Sequence, residues 1–98
     1  MTLPMQRLDA DVAVAPQLTP EAMAEAAAAG FRSVVNNRPD FEGGPDQPTN
    51  ASIEAAARAA GLEYVWLPVA SGYQSDAEIA RFAELVATLP KPILAFST

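Results

Sequence analysis

Apolar residues in this chain switch between two spacings, and each switch marks the boundary of an element. Ile93-Leu94-Ala95-Phe96 is a short continuous apolar run, the pattern of a strand covered on both faces in the middle of a parallel sheet. Two more strands are predicted. Phe31 to Asn36 centres on β-branched Val34-Val35, and Leu62 to Leu67 is rich in aromatic and β-branched residues. Leu3 to Ala15 predicts a small hairpin. Asp9-Ala10-Asp11 supplies its turn, and Val12 and Val14 alternate with small residues as a half-buried strand would. Pro4 and Pro16 bracket the hairpin and argue for an edge position.

Helices fill the intervals. In Thr19-Pro20-Glu21, threonine can cap, proline suits the first helical position and the glutamate faces the positive end of the helix dipole. This helix runs to Ala29 and stops at Gly30, a residue that takes the left-handed conformation without steric cost. A second begins in Thr49 to Ser52, runs through Ile53 to Ala60, and closes at Gly61. Ser75-Asp76-Ala77-Glu78 is a capping box. The helix it opens places Ile79, Phe82, Val86 and Leu89 on one face with Leu85 beside them. Pro90 and Pro92 end it, since proline lacks an N–H and disfavours helix in the residue before it. Strand–helix units joined by right-handed crossovers give parallel strands. The prediction is a single α/β domain over residues 1–98, with three layers and a mostly parallel central sheet flanked by helices.

Charge and composition narrow the function. The 98 residues carry a net charge of −6, and the six basic residues are scattered. A nucleic-acid surface needs a basic stripe to displace counterions from phosphates, so no nucleic-acid partner is expected. No polybasic patch, apolar leader or run of membrane-spanning length occurs, so the expectation is a cytoplasmic protein with no membrane partner. With neither cysteine nor histidine, the chain has no thiol chemistry, no imidazole base and no Cys/His zinc site. Neither a cofactor nor a metal is expected.

In open α/β sheets the ligand site lies beyond the carboxyl ends of the strands. Three such exits should converge here: Asn36 to Asp40, Pro68 to Tyr73, and Ser97-Thr98. The first opens a long irregular loop through Pro48, of the kind that often carries function. In it Arg38 could hold an oxyanion in a bidentate grip, with Asn37 beside it, while Asp40 or Glu42 could move a proton. The plainer alternative pairs Arg38 with Asp40 across Pro39, so that the pair only shapes the loop. In the second exit, Ser71 and Gly72 could offer backbone N–H groups near the start of the Ser75 helix, an anion-binding end. In the third, Ser97 stands where a nucleophile would stand and Thr98 follows it. A serine needs a base to activate it, and no histidine exists to serve.

Several segments resemble one bacterial family: Asn36-Asn37-Arg38-Pro39-Asp40, Gln47-Pro48, Ala59-Ala60-Gly61-Leu62-Glu63-Tyr64, Leu67-Pro68-Val69 and Pro92-Ile93-Leu94-Ala95-Phe96. The family is the phosphatase-like domain of β-lactamase hydrolase-like proteins, which is similar to tyrosine and dual-specificity phosphatases. The resemblance implies a fold in which the strand matching Pro92–Phe96 delivers a catalytic cysteine. A glycine-containing loop ending in arginine then follows, its N–H groups cradle the phosphate, and a thiophosphate intermediate is hydrolysed by water. Ser97 stands at the cysteine's position, and the loop and its arginine are absent from this sequence, which runs only to Thr98. Relatives carry an acidic proton donor on the loop matching Pro68–Tyr73, which here has no carboxylate, so Asp40 is the substitute donor.

The leading expectation is thus a phosphatase-like hydrolase domain, truncated after the strand that leads into the phosphate loop and inactive as written. A serine hydroxyl lacks the low pKa that makes a thiolate reactive in such a loop. Its expected ligand is a phosphorylated small molecule or phosphoprotein. The alternative is a non-catalytic module of the same fold that binds an anion or a partner. A homo-oligomer is a further expectation, because a chain ending on a central strand would expose apolar surface. Rhodanese-like sulfur transfer is the weaker option within the enzyme class.

Overall fold

The computed structural model describes residues 3–70 and 74–97. Eight elements follow one another: β1 (Gln6–Arg7), β2 (Val12–Ala15), α1 (Glu21–Ala28), β3 (Ser33–Asn36), α2 (Asn50–Ala59), β4 (Glu63–Trp66), α3 (Asp76–Thr88) and β5 (Ile93–Phe96). The five strands form one sheet in the order β1-β2-β5-β3-β4, parallel except for β1. β5 therefore lies at the centre, with β2 on one side and β3 on the other.

Side chains alternate across the strands and divide the core in two. Ala13, Ala15, Val34, Tyr64, Leu94 and Phe96 face α1 and α2 and pack with Met23, Ala26, Ile53 and Ala57. Val35, Ile93 and Ala95 face the other way and pack on Leu85 of α3. Three layers result, as the apolar spacing predicts. All four residues of β5 are buried, as befits a strand covered on both faces.

Local chemistry sets the boundaries. Thr19 Oγ1 accepts from the Ala22 N–H at 3.2 Å and Thr49 Oγ1 from the Ser52 N–H at 3.2 Å. The reciprocal Ser75–Glu78 box is complete, with bonds of 3.1 and 2.8 Å. Gly30 (φ +99°) and Gly61 (φ +83°) end α1 and α2 in left-handed geometry. The next N–H in each case returns to the carbonyl five residues back, Phe31 to Ala26 and Leu62 to Ala57.

Two expectations need correction. The hairpin does lie at an edge, but β1 alone forms that edge. β2 has β5 on its other side, so Val12, Ala13 and Ala15 are all buried and the strand is not half-exposed. In α3 the stripe centres on Leu85, the helix's buried residue, while Phe82, Val86 and Leu89 pack partly and Ile79 is 50% exposed. No helix among the described residues is long and apolar enough to cross a membrane.

Candidate functional site

Parallel register brings four strand ends to one line. Ala15, Phe96 and Asn36 are partners across β2, β5 and β3, and Asn36 is the partner of Trp66 in β4. Backbone bonds extend the line past the strands. The Ser97 N–H donates to the Ala15 carbonyl at 3.1 Å, and Asn37 N–H to Phe96 at 2.9 Å. Leu67 N–H donates to Asn36 at 2.8 Å, and Val69 N–H to Asn37 at 2.9 Å. The first residues past β3, β4 and β5 are thus tied along one edge of the sheet, with 71–73 and 98 of the predicted exits outside the described residues. The exit of β2, Pro16-Gln17, joins them.

Arg38 crosses this line. Its Nε lies 3.2 Å from Glu42 Oε1, and its Nη1 donates to Gln17 Oε1 at 3.4 Å. Arg38 follows β3 and Gln17 follows β2, with β5 between those strands, so the side chain reaches across the end of β5, where Ser97 stands. Both members of the Arg38–Glu42 pair are largely covered, at 16% and 20% exposure, so water screens it less than a surface pair. Arg38 thus takes Glu42, not Asp40, as its ion-pair partner. Gly43 makes room for it, because a Cβ there would sit 2.7 Å from Arg38 Nη2. Gln47 closes the loop behind, accepting from the Gly43 N–H at 2.7 Å and donating to the Pro39 carbonyl at 2.7 Å.

The other candidates have structural partners of their own. Asn37 Nδ2 donates to the Leu67 carbonyl at 3.0 Å, tying the β3 exit to the β4 exit. Asp40 Oδ1 accepts from the Asn50 N–H at 2.6 Å in the first turn of α2, where a carboxylate meets the positive end of the helix. Ser97 is exposed, and with Met5, Gln6, Val14, Ala15 and Pro16 it lines a cleft of about 320 Å³ beside the hairpin. Arg38 and Asp40 do not line that cleft. Ser71, Gly72 and Thr98 lie outside the described residues. Among the described residues no group of three acidic side chains is placed to hold a metal ion.

Sequence reasoning gave no site role to Asn36, Asn50, Tyr64 or Trp66, which together hold the Arg38–Asp40 segment. Asn36 is buried at the end of β3. Its Oδ1 accepts from the Arg38 N–H at 2.8 Å and its Nδ2 donates to the Tyr64 hydroxyl at 3.0 Å. Tyr64 in turn donates to Asn50 Oδ1. Burial pushes the Tyr64 phenol up to about 12, against the smaller downward pull of the Asn36 bond, with Glu54 and Asp40 adding upward repulsion. The tyrosine is therefore neutral at ordinary pH and able to donate. Trp66, the chain's one tryptophan, donates its indole N–H to the Arg38 carbonyl at 2.9 Å. The signal available in the sequence was an asparagine ending a strand whose two valines are core. A buried amide must find partners, and a tyrosine on the neighbouring strand is within reach.

This sheet order, with a central strand whose exit lies under an arginine, defines a phosphatase-like α/β domain. A candidate phosphatase of Neisseria meningitidis superposes with a TM-score of 0.84 at 28% identity, over 93% of this chain and 64% of that one. A cysteine-to-serine variant of Pseudomonas aeruginosa TpbA in complex with phosphotyrosine shares the fold with a TM-score of 0.70 at 15% identity, over 98% of this chain and 54% of that one. The chain belongs to the family of the β-lactamase hydrolase-like protein, phosphatase-like domain, whose pattern matches residues 4–98. The β-lactamase hydrolase-like protein of Xylella fastidiosa is 43% identical over 65 residues, 66% of this chain. That of Agrobacterium fabrum is 40% identical over 68 residues, 69% of this chain. These matches span only 15% and 16% of the two relatives' lengths.

Proposed function

We propose that this domain binds a phosphorylated ligand, a small molecule or a phosphoprotein, at the exit of β5, and that the sequence as it stands does not turn that ligand over. The observation that carries this reading is the Arg38 side chain lying across the strand end that presents Ser97. A guanidinium held between the exits of β3 and β2, on either side of β5, can offer N–H groups to an anion. Asn37 follows the Asn36–Phe96 register pair, and its N–H donates to the Phe96 carbonyl, fixing the backbone just before Ser97.

Turnover lacks its chemical parts. Ser97 has no histidine to take its proton, and a hydroxyl in this position is far less acidic than a thiol. Asp40, the substitute proton donor, has one carboxylate oxygen engaged at the start of α2. Residues 68–74 contain no carboxylate. The TpbA cysteine-to-serine variant holding phosphotyrosine supports the same division, a phosphatase-like fold that binds without its thiol.

The test is titration of inorganic phosphate and of a generic aryl phosphate, followed by Trp66 fluorescence, together with an assay for phosphate release from the ester. Saturable binding without release is the expected result. Release by this chain would overturn the inactivity, and flat titrations with both ligands would overturn the anion site. In that second case the same fold, with its exposed Phe41 and Trp66, is better read as a partner-binding module.

A further inference from the structure

We propose that Tyr64 is a positioning residue for Arg38, acting through a closed ring of hydrogen bonds at the strand exits. This inference rests on the anion site proposed above. The ring runs from the Arg38 N–H to Asn36 Oδ1 (2.8 Å), from Asn36 Nδ2 to the Tyr64 hydroxyl (3.0 Å), from that hydroxyl to Asn50 Oδ1 (2.5 Å), and from the Asn50 N–H to Asp40 Oδ1 (2.6 Å). Asp40 stands two residues from Arg38, so the covalent chain closes the circuit. The ring joins β3, β4 and the first turn of α2 to the one segment that carries the arginine.

The Tyr64 hydroxyl is the link between the two halves. It accepts from Asn36 and donates to Asn50, so both of its hydrogen-bonding roles are in use. Without it the buried Asn36 amide loses its partner and its side chain is free to turn. The Arg38 N–H then loses the acceptor that sets its direction. On its other side the Arg38 peptide is held by the Trp66 indole, so a loosened ring is reported by the chain's one tryptophan. Removing the hydroxyl takes one oxygen atom from the core and leaves the ring carbons in place, so the change is confined to the bonds with Asn36 and Asn50.

Four proteins decide the matter: the wild-type chain, Tyr64→Phe, Asn50→Ala and Val86→Ala. Asn50→Ala opens the ring at its half-exposed end, where folding depends on it least, and so keeps the test valid if Tyr64→Phe is poorly folded. Val86→Ala weakens the opposite face of the sheet and controls for stability alone. Each is titrated with inorganic phosphate well below its melting temperature, and the Trp66 emission is recorded before titration. The expected result is phosphate affinity about tenfold weaker in both ring variants, the size of one lost hydrogen bond that aligns a charged group. Their Trp66 emission should be shifted, and Val86→Ala should bind as the wild type does. Ring variants that bind like the wild type would overturn the positioning role while leaving the anion site intact. Affinity falling in step with melting temperature in all three variants would reduce Tyr64 to a structural residue. A wild-type chain that binds no phosphate removes the anion site and this role together.

Discussion

Phe41 shows how a single residue can sit against its own preference. Its φ is +63°, a left-handed backbone that glycine and asparagine adopt readily and a bulky side chain does not. The side chain is 62% exposed, so burial offsets little of that cost. What holds it is the loop around it: the Gly44 N–H bonds the Phe41 carbonyl at 3.1 Å, and Asp40 and Glu42 on either side are anchored to α2 and to Arg38. Phe41→Asn should therefore raise stability by about 0.5–1 kcal/mol, because asparagine pays less for this conformation and little apolar contact is lost. Chemical denaturation of the two proteins checks it, and a lower midpoint for the variant would show that the exposed ring has a packing role. Nothing in the sequence announces this strain, since φ follows from where the loop's two ends are tied. The same holds for Arg38. Its partners Gln17 and Glu42 are 21 and 4 residues away, and only the strand order places the more distant one across β5.

At the scale of elements the sequence is far more readable, because the signals are local. Threonine caps, the Ser75–Glu78 box and the two terminal glycines act within a few residues of themselves, and the helices begin and end where those residues say. What local spacing cannot say is how tightly an element docks. The stripe on α3 is legible as Ile79, Phe82, Val86 and Leu89, yet the weight of its docking falls on Leu85, the buried residue of the helix, which packs with Val35, Ile93 and Ala95. Leu85→Ala should cost about 2–5 kcal/mol, the range for emptying a buried leucine site. Ile79→Ala should cost well under half as much, because that side chain is already half in water. Denaturant midpoints for both variants test the ranking. Equal losses would mean that the N-terminal end of α3 packs more firmly than its exposure indicates.

Across the whole molecule the decisive feature is that β5, the central strand, follows β1 to β4 in sequence and closes the sheet between them. β5 lies between β2 and β3, so without it the sheet falls into a hairpin on one side and the β3–β4 pair on the other, with no strand pairing to join them. Ile93, Leu94 and Phe96 are fully buried, and together they contribute roughly 5–9 kcal/mol of burial. That is comparable with the entire net stability of a domain, about 5–15 kcal/mol. The same strand carries the candidate site, because the Phe96 carbonyl accepts from the Asn37 N–H and the Ser97 N–H donates to the Ala15 carbonyl. Folding and site assembly are therefore one event, completed only when long-range contacts to β5 close. A chain ending at Leu89 should consequently lose cooperative unfolding altogether instead of melting at a lower temperature. Thermal scans followed by circular dichroism and by Trp66 fluorescence would read this directly. Coincident sigmoidal transitions in the shortened chain would mean that α1, α2 and the four remaining strands form a core without the central one, and that the site's frame stands independently of the strand that completes it.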